Sequence, residues 1–414
     1  MTTFSEIRLK FTSGEPLKYG ANAAAEFDNP DWPRFVRITD IDDTGGLREE
    51  TFRSLPPEAA KSYLLREGDV LLARSGATVG KSFIYEKQWG EACYAGYLIR
   101  LRVSDEYDAR YIYWCLQGSG YWSDIESNLI QATIQNVSAE RYSNFRVPSP
   151  LLETQRRIAR FLDEKIARID GLIEKKRALL DRLAERRQTL ITSAVTKGLN
   201  PAVLMKPSGI DWLGEIPAHW NLVPFKWRCR IESGQVDPRE PEFANMPLIA
   251  PDHIESGTGR LYEVASAAEQ GAISGKYLCP PGSILYSKIR PALRKVALYE
   301  GACLCSADMY AIDANSHFFR EYLFYFLLTD AFTSYAELES LRVAMPKVNR
   351  EALGAFPLPL PDKGEQREIA IFCKEADHNH RNVTDRVDDS IVKLEDYRMT
   401  LITAAVTGRI SELA

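Results

Sequence analysis

From residue 151 onward, apolar side chains recur four and then three positions apart: Leu162, Ile166, Ile169 and Ile173, then Leu180, Leu183, Leu190 and Ala194, with Lys176 and Arg187 interrupting. A period of 3.5 kept over several heptads marks a coiled-coil seam rather than a helix lying on a globular core. No proline falls between Pro150 and Gly198, so the pattern predicts one helix of about 45 residues, on the order of 65 Å at ~1.5 Å per residue. A second such stretch runs from Pro361 to Gly408. Its seam holds Val387, Ile391, Leu394, Leu401 and Ala405, but also Cys373, Asp377, His380, Thr384 and Arg398, which makes it the poorer zipper.

The two stretches are copies of one another. Thr189 to Thr196 (TLITSAVT) returns at 400–407 as TLITAAVT, an offset of 211 residues, and the ungapped alignment of 134–196 with 345–407 holds twenty identities. Gln155-Arg156 pairs with Gln366-Arg367, Ile158 with Ile369, Phe161 with Phe372, and Phe145, Pro148 and Pro150 with Phe356, Pro359 and Pro361. Upstream of 133 the copies diverge, and residues 68–74 match 282–288 only at a shifted offset of 214. Two copies on one chain suggest pseudo-two-fold symmetry. A two-fold relating the helices sets them antiparallel, with their length as a ruler between the flanking domains; two independent surface helices are the alternative.

Residues 1–150 and 201–361 read as mixed α/β. Strands are expected at 36–39, 69–73, 81–85 and 96–103, and a helix over 107–117 where Tyr111, Trp114 and Cys115 share a face. The second copy repeats that order at 247–250, 283–287, 295–299 and 320–329. Lys206 to Trp220 is full of turn residues and reads as a linker. The domain boundaries are therefore 1–150, 151–200, 201–361 and 362–414.

Composition narrows the class. A chain of 414 residues with 26% charged and 45% hydrophobic residues suits several soluble domains. Its longest apolar runs fall short of the roughly 20 residues of a membrane span. The N-terminus lacks the pattern of a signal peptide, so a cytoplasmic location is expected. Seven scattered cysteines without a Cys-x-x-Cys pair, and five histidines without ligand spacing, argue against a disulfide framework and a metal site; His378 and His380 read as solvated or seam residues. Net charge is −5, but phosphate contacts need only a local basic surface. Residues 151–200 carry 12 basic against 7 acidic residues and 362–414 carry 8 against 11, opposite signs that favour pairing the two helices with each other.

Candidate chemistry lies in two loops of each domain. Gly76 to Ser82 resembles a phosphate loop, but Ser75 stands where its first glycine belongs and a strand follows where a helix should. It reads better as a hairpin tip bearing Arg74, Ser75, Gly76 and Lys81, matched by Lys288, Arg290, Arg294 and Lys295. Small residues let a partner approach the backbone, and Arg and Lys suit phosphates or guanine edges; an ordinary solvated loop is the alternative. The turns before the helical segments hold Gln131, Thr133, Gln135 and Asn136, and Arg342, Lys347 and Asn349. Gln and Asn can bond adenine bidentately and Arg guanine, although capping would equally explain Asn136 and Asn349. No Asn/Asp-Pro-Pro-Tyr/Phe stretch for amino methylation occurs.

Together these residues resemble the specificity subunit of type I restriction-modification systems. The resemblance rests on Gly68 to Gly76 (GDVLLARSG), on 357–370 with its Pro-Leu-Pro and Glu-Gln-Arg-Glu-Ile-Ala, on Leu401 to Gly408, and on Trp212 to Trp220. It spans essentially the whole chain, departing at Gly282-Ser283 and at Thr154-Gln155-Arg156. It implies an α+β fold, two α/β target-recognition domains separated by a long antiparallel two-helix coiled coil. It further implies a non-catalytic reader of a bipartite asymmetric double-stranded DNA site that docks two methyltransferase subunits and, through them, restriction subunits. S-adenosylmethionine, ATP and Mg²⁺ then belong to those partners. The seam and docking residues expected under it are Gln155, Arg156, Ile166, Ile173, Leu180, Leu183 and Leu190, with Gln366, Arg367, Ile391, Leu394 and Leu401. A coiled-coil scaffold that organises proteins without reading DNA is the competing reading.

Overall fold

The computed structural model describes residues 4–42, 45–130, 136–314, 320–340 and 347–413. It forms two compact units, Met1–Ala178 with Val387–Ala414, and Leu179–Arg386. Each unit combines one α/β domain with the first part of one long helix and the last part of the other.

The first domain is built on a four-stranded antiparallel sheet whose strands lie in the order Lys18–Tyr19, Leu98–Leu101, Val70–Ala73, Ser82–Ile84. The second repeats it as Cys229–Ile231, Met309–Ala314, Ser283–Ser287, Val296–Tyr299. The topology is identical although the two stretches share few residues, because in both copies the central strands are buried on both faces, as short apolar runs whose individual residues have changed. A parallel strand pair accompanies each sheet, Arg34–Val36 with Ala92–Tyr94 and Leu248–Ile249 with Cys303–Cys305. In the second domain that pair is widened to four strands by Gln235–Val236 and Lys276–Cys279. The strand expected at 36–39 ends at Val36, and Ile38–Asp40 turns as a 3₁₀ helix, held by Asp40 accepting from the Arg37 backbone and guanidinium.

The long helices span Leu152–Lys197 and Lys363–Val406. Each starts where a proline stops the preceding strand. Gln155 and Gln366 then turn back to donate to the Pro150 and Pro361 carbonyls, at 2.9 and 2.7 Å. Each helix ends at a glycine with positive φ, Gly198 and Gly408, the left-handed cap that lets the chain leave a helix. In the first unit Asp170 meets Arg398 at 2.9 Å and Arg177 meets Glu395 at 3.1 Å; in the second Arg187 meets Asp377. In the second unit Gly198 also lies beside Glu365, so within each unit one number rises as the other falls and the helices run antiparallel.

The seam holds in its first half, where Leu162, Ile166, Ile169 and Ile173 are buried, and opposite it Val387 and Ile391 are buried with Leu394 partly covered. Arg187 and Asp377, read separately as interruptions, satisfy one another. Leu180 and Leu183 are half-buried, whereas Leu190 is 38% exposed and its neighbour Ile191 is 0%. The correction has a physical cause: beyond residue 190 the helix packs on the second domain's core through Ile191, Ala194 and Val195, so the buried face follows the 3.6 period of a straight helix instead of the 3.5 of a zipper. Leu401 shows the same shift, being half-buried beside the fully buried Ile402.

Two tyrosines join helix ends to domains in matching fashion. The Tyr111 hydroxyl lies 3.1 Å from the Pro148 carbonyl and 3.2 Å from that of Val406. The Tyr322 hydroxyl lies 3.2 Å from Pro359 and 3.0 Å from Val195. All three positions keep the offset of 211, and in each unit the domain holds the end of the other copy's helix. Residues 206–220 are also more than a linker. Met205–Pro207 and Glu215–Pro217 form a hairpin, and Leu213, Ile216 and Trp220 enter the second domain's core, where Trp220 donates to Glu365 at 2.8 Å. Among the described residues no helix is long and apolar enough to cross a membrane.

Candidate nucleic-acid interface

Each hairpin tip is stitched to the residues that precede a short helix, Ala139–Asn144 in the first domain and Arg350–Ala355 in the second. In the first unit the tip 74–81 joins Val70–Ala73 to Ser82–Ile84. Val137 N–H donates to the Arg74 carbonyl at 2.8 Å, and Ser75 pairs with Asn136. In the second unit Val348 N–H donates to the Lys288 carbonyl at 2.9 Å, and Ile289 pairs with Lys347. The sheet hands on one more rung below each tip. Arg74 N–H donates to the Tyr97 carbonyl and Lys288 N–H to the Asp308 carbonyl, each at 3.0 Å. In each domain the tip and the described end of the second loop, Asn136-Val137 or Lys347-Val348, therefore form one edge, and the two edges share a backbone plan.

The side chains on that plan differ. Arg74 lies over the Tyr19 ring, 4.8 Å from its centroid, and its Nε reaches Asn136 Oδ1 at 3.4 Å. Such stacking holds a guanidinium at the surface without a carboxylate to cancel its charge. Gly76 is exposed beside it, and Lys81 is exposed at the lip of a cleft of about 320 Å³ shared with Arg48, Trp122 and Arg398. Gly80 is required at the foot of the tip: its φ is +88° and a Cβ there would lie 3.0 Å from Trp122. Buried tyrosines secure the tip from below. The Tyr142 hydroxyl donates to the Ala73 carbonyl at 2.6 Å and accepts from Gly80 N–H, while Tyr121 donates to the Gly80 carbonyl at 2.7 Å. Burial pushes the Tyr142 hydroxyl up to about 12, so it stays a donor at any working pH.

The second tip is secured otherwise. Lys288 and Arg350 both lie over the Tyr310 ring at 5.3 Å, and Arg350 donates to the Ile231 and Glu232 carbonyls. Burial raises the Tyr310 hydroxyl's pKa, with Arg350 opposing. Arg290 and Arg294 take left-handed backbone angles, φ 49° and 46°, the only non-glycine residues to do so among those described. Arg294 is ion-paired to Asp330 at 2.8 Å, and Lys295 Nζ donates to the Pro251 carbonyl at 2.7 Å, so both cations are engaged inside the domain. Arg290 and Lys347 are exposed. Asn349 is the cap of helix Arg350–Ala355, accepting from Ala352 N–H at 2.7 Å, and Ser138 does the same duty in the first domain.

Gln131, Thr133, Gln135 and Arg342 lie outside the described residues. Of the seam and docking set, Ile166, Ile173 and Ile391 are buried in the seam, and Arg156 and Arg367 are exposed. Gln155 and Gln366 are each 1% exposed, with Gln155 also accepting from Asp108 N–H. Both glutamines tie the helix start to its own domain and offer no docking surface. Tyr19, Tyr97 and Tyr310 complete the edges and were not foreseen, whereas Arg350 closes the 342–350 segment that the sequence already offered for base contacts. The one signal was the offset of 211, which sets Tyr97 opposite Asp308.

This geometry agrees with the comparisons to known proteins. The family model described as "Type I restriction modification DNA specificity domain" matches residues 33–182 and again 246–386. The chain is 28% identical over 316 residues to the Type I restriction enzyme EcoDI specificity subunit of Escherichia coli, covering 73% of this chain and 70% of that one. It is 24% identical over 364 residues to the MjaVIII specificity subunit of Methanocaldococcus jannaschii, covering 84% and 81%. A solved chain from work on complex assembly and conformational transition of the type I R-M system superposes with a TM-score of 0.73 at 16% identity, covering 99% of both chains. The HsdS subunit from Thermoanaerobacter tengcongensis superposes at 0.52 with 17% identity, covering 99% of this chain and 98% of that one. Two family-model matches, covering both domains and more than half of the sequence, show that the chain belongs to the type I restriction modification DNA specificity family.

Proposed function

We propose that this specificity subunit reads a bipartite, asymmetric duplex site, one half-site per domain, through the paired tip and turn edges. The observation that carries the proposal is the duplicated backbone plan under unlike side chains: Arg74, Gly76, Lys81 and Asn136 on one edge, Lys288, Arg290 and Lys347 on the other. Phosphate contacts by the cations fix register, and base contacts supply sequence. Arg294, Lys295 and Asn349 support the second edge from within, and Gln131, Thr133, Gln135 and Arg342, which precede the described edge residues in the sequence, stay proposed as base contacts. Membership in a DNA specificity family speaks against a scaffold that ignores DNA.

As in its family, the subunit is non-catalytic and works with methyltransferase and restriction subunits, which carry the catalysis. We place two methyltransferase copies on the paired helices, with Arg156 and Arg367 among the exposed residues that meet them, and take helix length to set the half-site spacing. S-adenosylmethionine, ATP and Mg²⁺ act on those partners, in the cytoplasm. The test is duplex binding by the assembled complex over a salt series. Truncating Arg74 or Lys288 to Ala is expected to weaken binding and to lower the slope of log affinity against log salt by about one per lost phosphate contact. Unchanged affinity and slope for both variants would remove the tips from the interface.

A further inference from the structure

The residue opposite each tip cation has changed chemical class between the copies. Ala73 pairs with Leu98 and Ser287 with Met309, so the next rung sets Arg74 directly against Tyr97 and Lys288 directly against Asp308. Side chains directly opposed in an antiparallel ladder project from the same face with Cβ atoms about 5 Å apart. Tyr97 is 69% exposed, and Asp308 is exposed as well. Neither is spent inside its domain. Among the described residues Asp308 forms no ion pair, and the Lys288 ammonium lies over the Tyr310 ring instead of on the carboxylate.

An exposed carboxylate opposite Lys288, on the edge that also carries Arg290 and Lys347, is out of place on a surface that meets only phosphates, since it would repel them. It fits a base edge. An ionised carboxylate only accepts hydrogen bonds, which leaves the exocyclic amino groups as partners. In the major groove adenine sets its N7 acceptor beside N6, where a carboxylate is repelled, whereas cytosine offers its N4 donor with no acceptor on its own major-groove edge. Tyr97 at the equivalent place offers a ring, suited to apolar contact with a thymine methyl.

We infer that position 97/308 is a specificity-determining position of the two edges, and that Asp308 accepts a hydrogen bond from the amino group of a cytosine in the second half-site. This rests on the reading that the tip edges face DNA. The assembled complex of full-length chain and methyltransferase subunit is used to select from a randomised duplex library, as wild type and as Asp308→Asn, Tyr97→Ala and Lys288→Ala. Wild type is expected to require a C·G pair at one position of the second half-site. Asp308→Asn shifts that single position toward A·T by about tenfold or more, because Asn bonds adenine bidentately, and leaves the first half-site intact as an internal control of folding. Tyr97→Ala relaxes the first half-site only. An unaltered second half-site in Asp308→Asn overturns the inference. If Lys288→Ala still weakens binding, the edge faces DNA and only its reader is misassigned; if Lys288→Ala is also silent, the reading of the edge falls with it.

Discussion

Backbone strain at the second tip singles out Arg290. A left-handed conformation costs a side chain about 1–2 kcal/mol that glycine escapes, while glycine loses about 0.5–1 kcal/mol through the unfolded chain. Arg290→Gly should therefore leave stability unchanged or raised by up to about 1.5 kcal/mol, while weakening duplex binding. Lower stability with undiminished binding would mean that the arginine serves the fold and not the DNA. Residue-level roles were the least legible part of the sequence. Arg294 and Lys295 looked as available as Arg290, and only their placement against Asp330 and Pro251 separates them. Asn349 proved to be a helix cap, a duty its residue type allows as readily as base contact. Tyr310 was invisible because a buried strand tyrosine becomes part of a cation platform only when two distant cations fold over it.

The paired helices turn on the buried Arg187–Asp377 contact. Arg187 also donates to the Gly257 and Thr258 carbonyls, at 2.9 and 3.3 Å, and the Tyr325 hydroxyl lies 3.3 Å from Asp377 Oδ2. Arg187→Ala strands a buried carboxylate and should cost the second unit about 3–5 kcal/mol, whereas replacing Arg187 and Asp377 together by Leu should cost far less. Denaturant titration of the variants checks this, and equal losses would show that the charges contribute little. His380 sits on the same face. Burial first, then Arg187, with Asp377 and Glu255 opposing and Arg381 adding, holds its pKa below the ordinary value of 6.5. A depressed folded-state pKa means that the unfolded chain takes up the proton first. Stability should fall as pH drops below about 6.5, and His380→Gln should flatten that limb of the stability–pH curve; an unchanged limb would acquit the histidine. The heptad pattern made both helices legible almost to their ends, because a seam repeats its demand every three or four residues. It failed at Leu190, where the partner changes from a helix to a domain core and the buried face rotates by one residue.

At the scale of the whole chain, internal repetition carried most of what could be read in advance. The matched helical segments announced two copies of one unit, and both domains share one sheet order even where their sequences have parted. The repeat also reaches further than sequence identity does: Tyr111 and Tyr322 hold equivalent carbonyls at the ends of each other's helices. What the repeat could not convey is how each copy has specialised, since the extra strands of the second domain and the unlike tips arise where the copies no longer align. That divergence over a common frame is the physical content of a reader with two different halves. The most direct test is methylome sequencing of a host that expresses this chain with its methyltransferase subunit, compared with hosts carrying Arg74→Ala, Lys288→Ala or no specificity chain. The account predicts a bipartite adenine-methylation motif that vanishes without the chain, with each variant relaxing or weakening recognition of one half-site only. No motif despite an expressed methyltransferase, or both halves changing together in each variant, would contradict it.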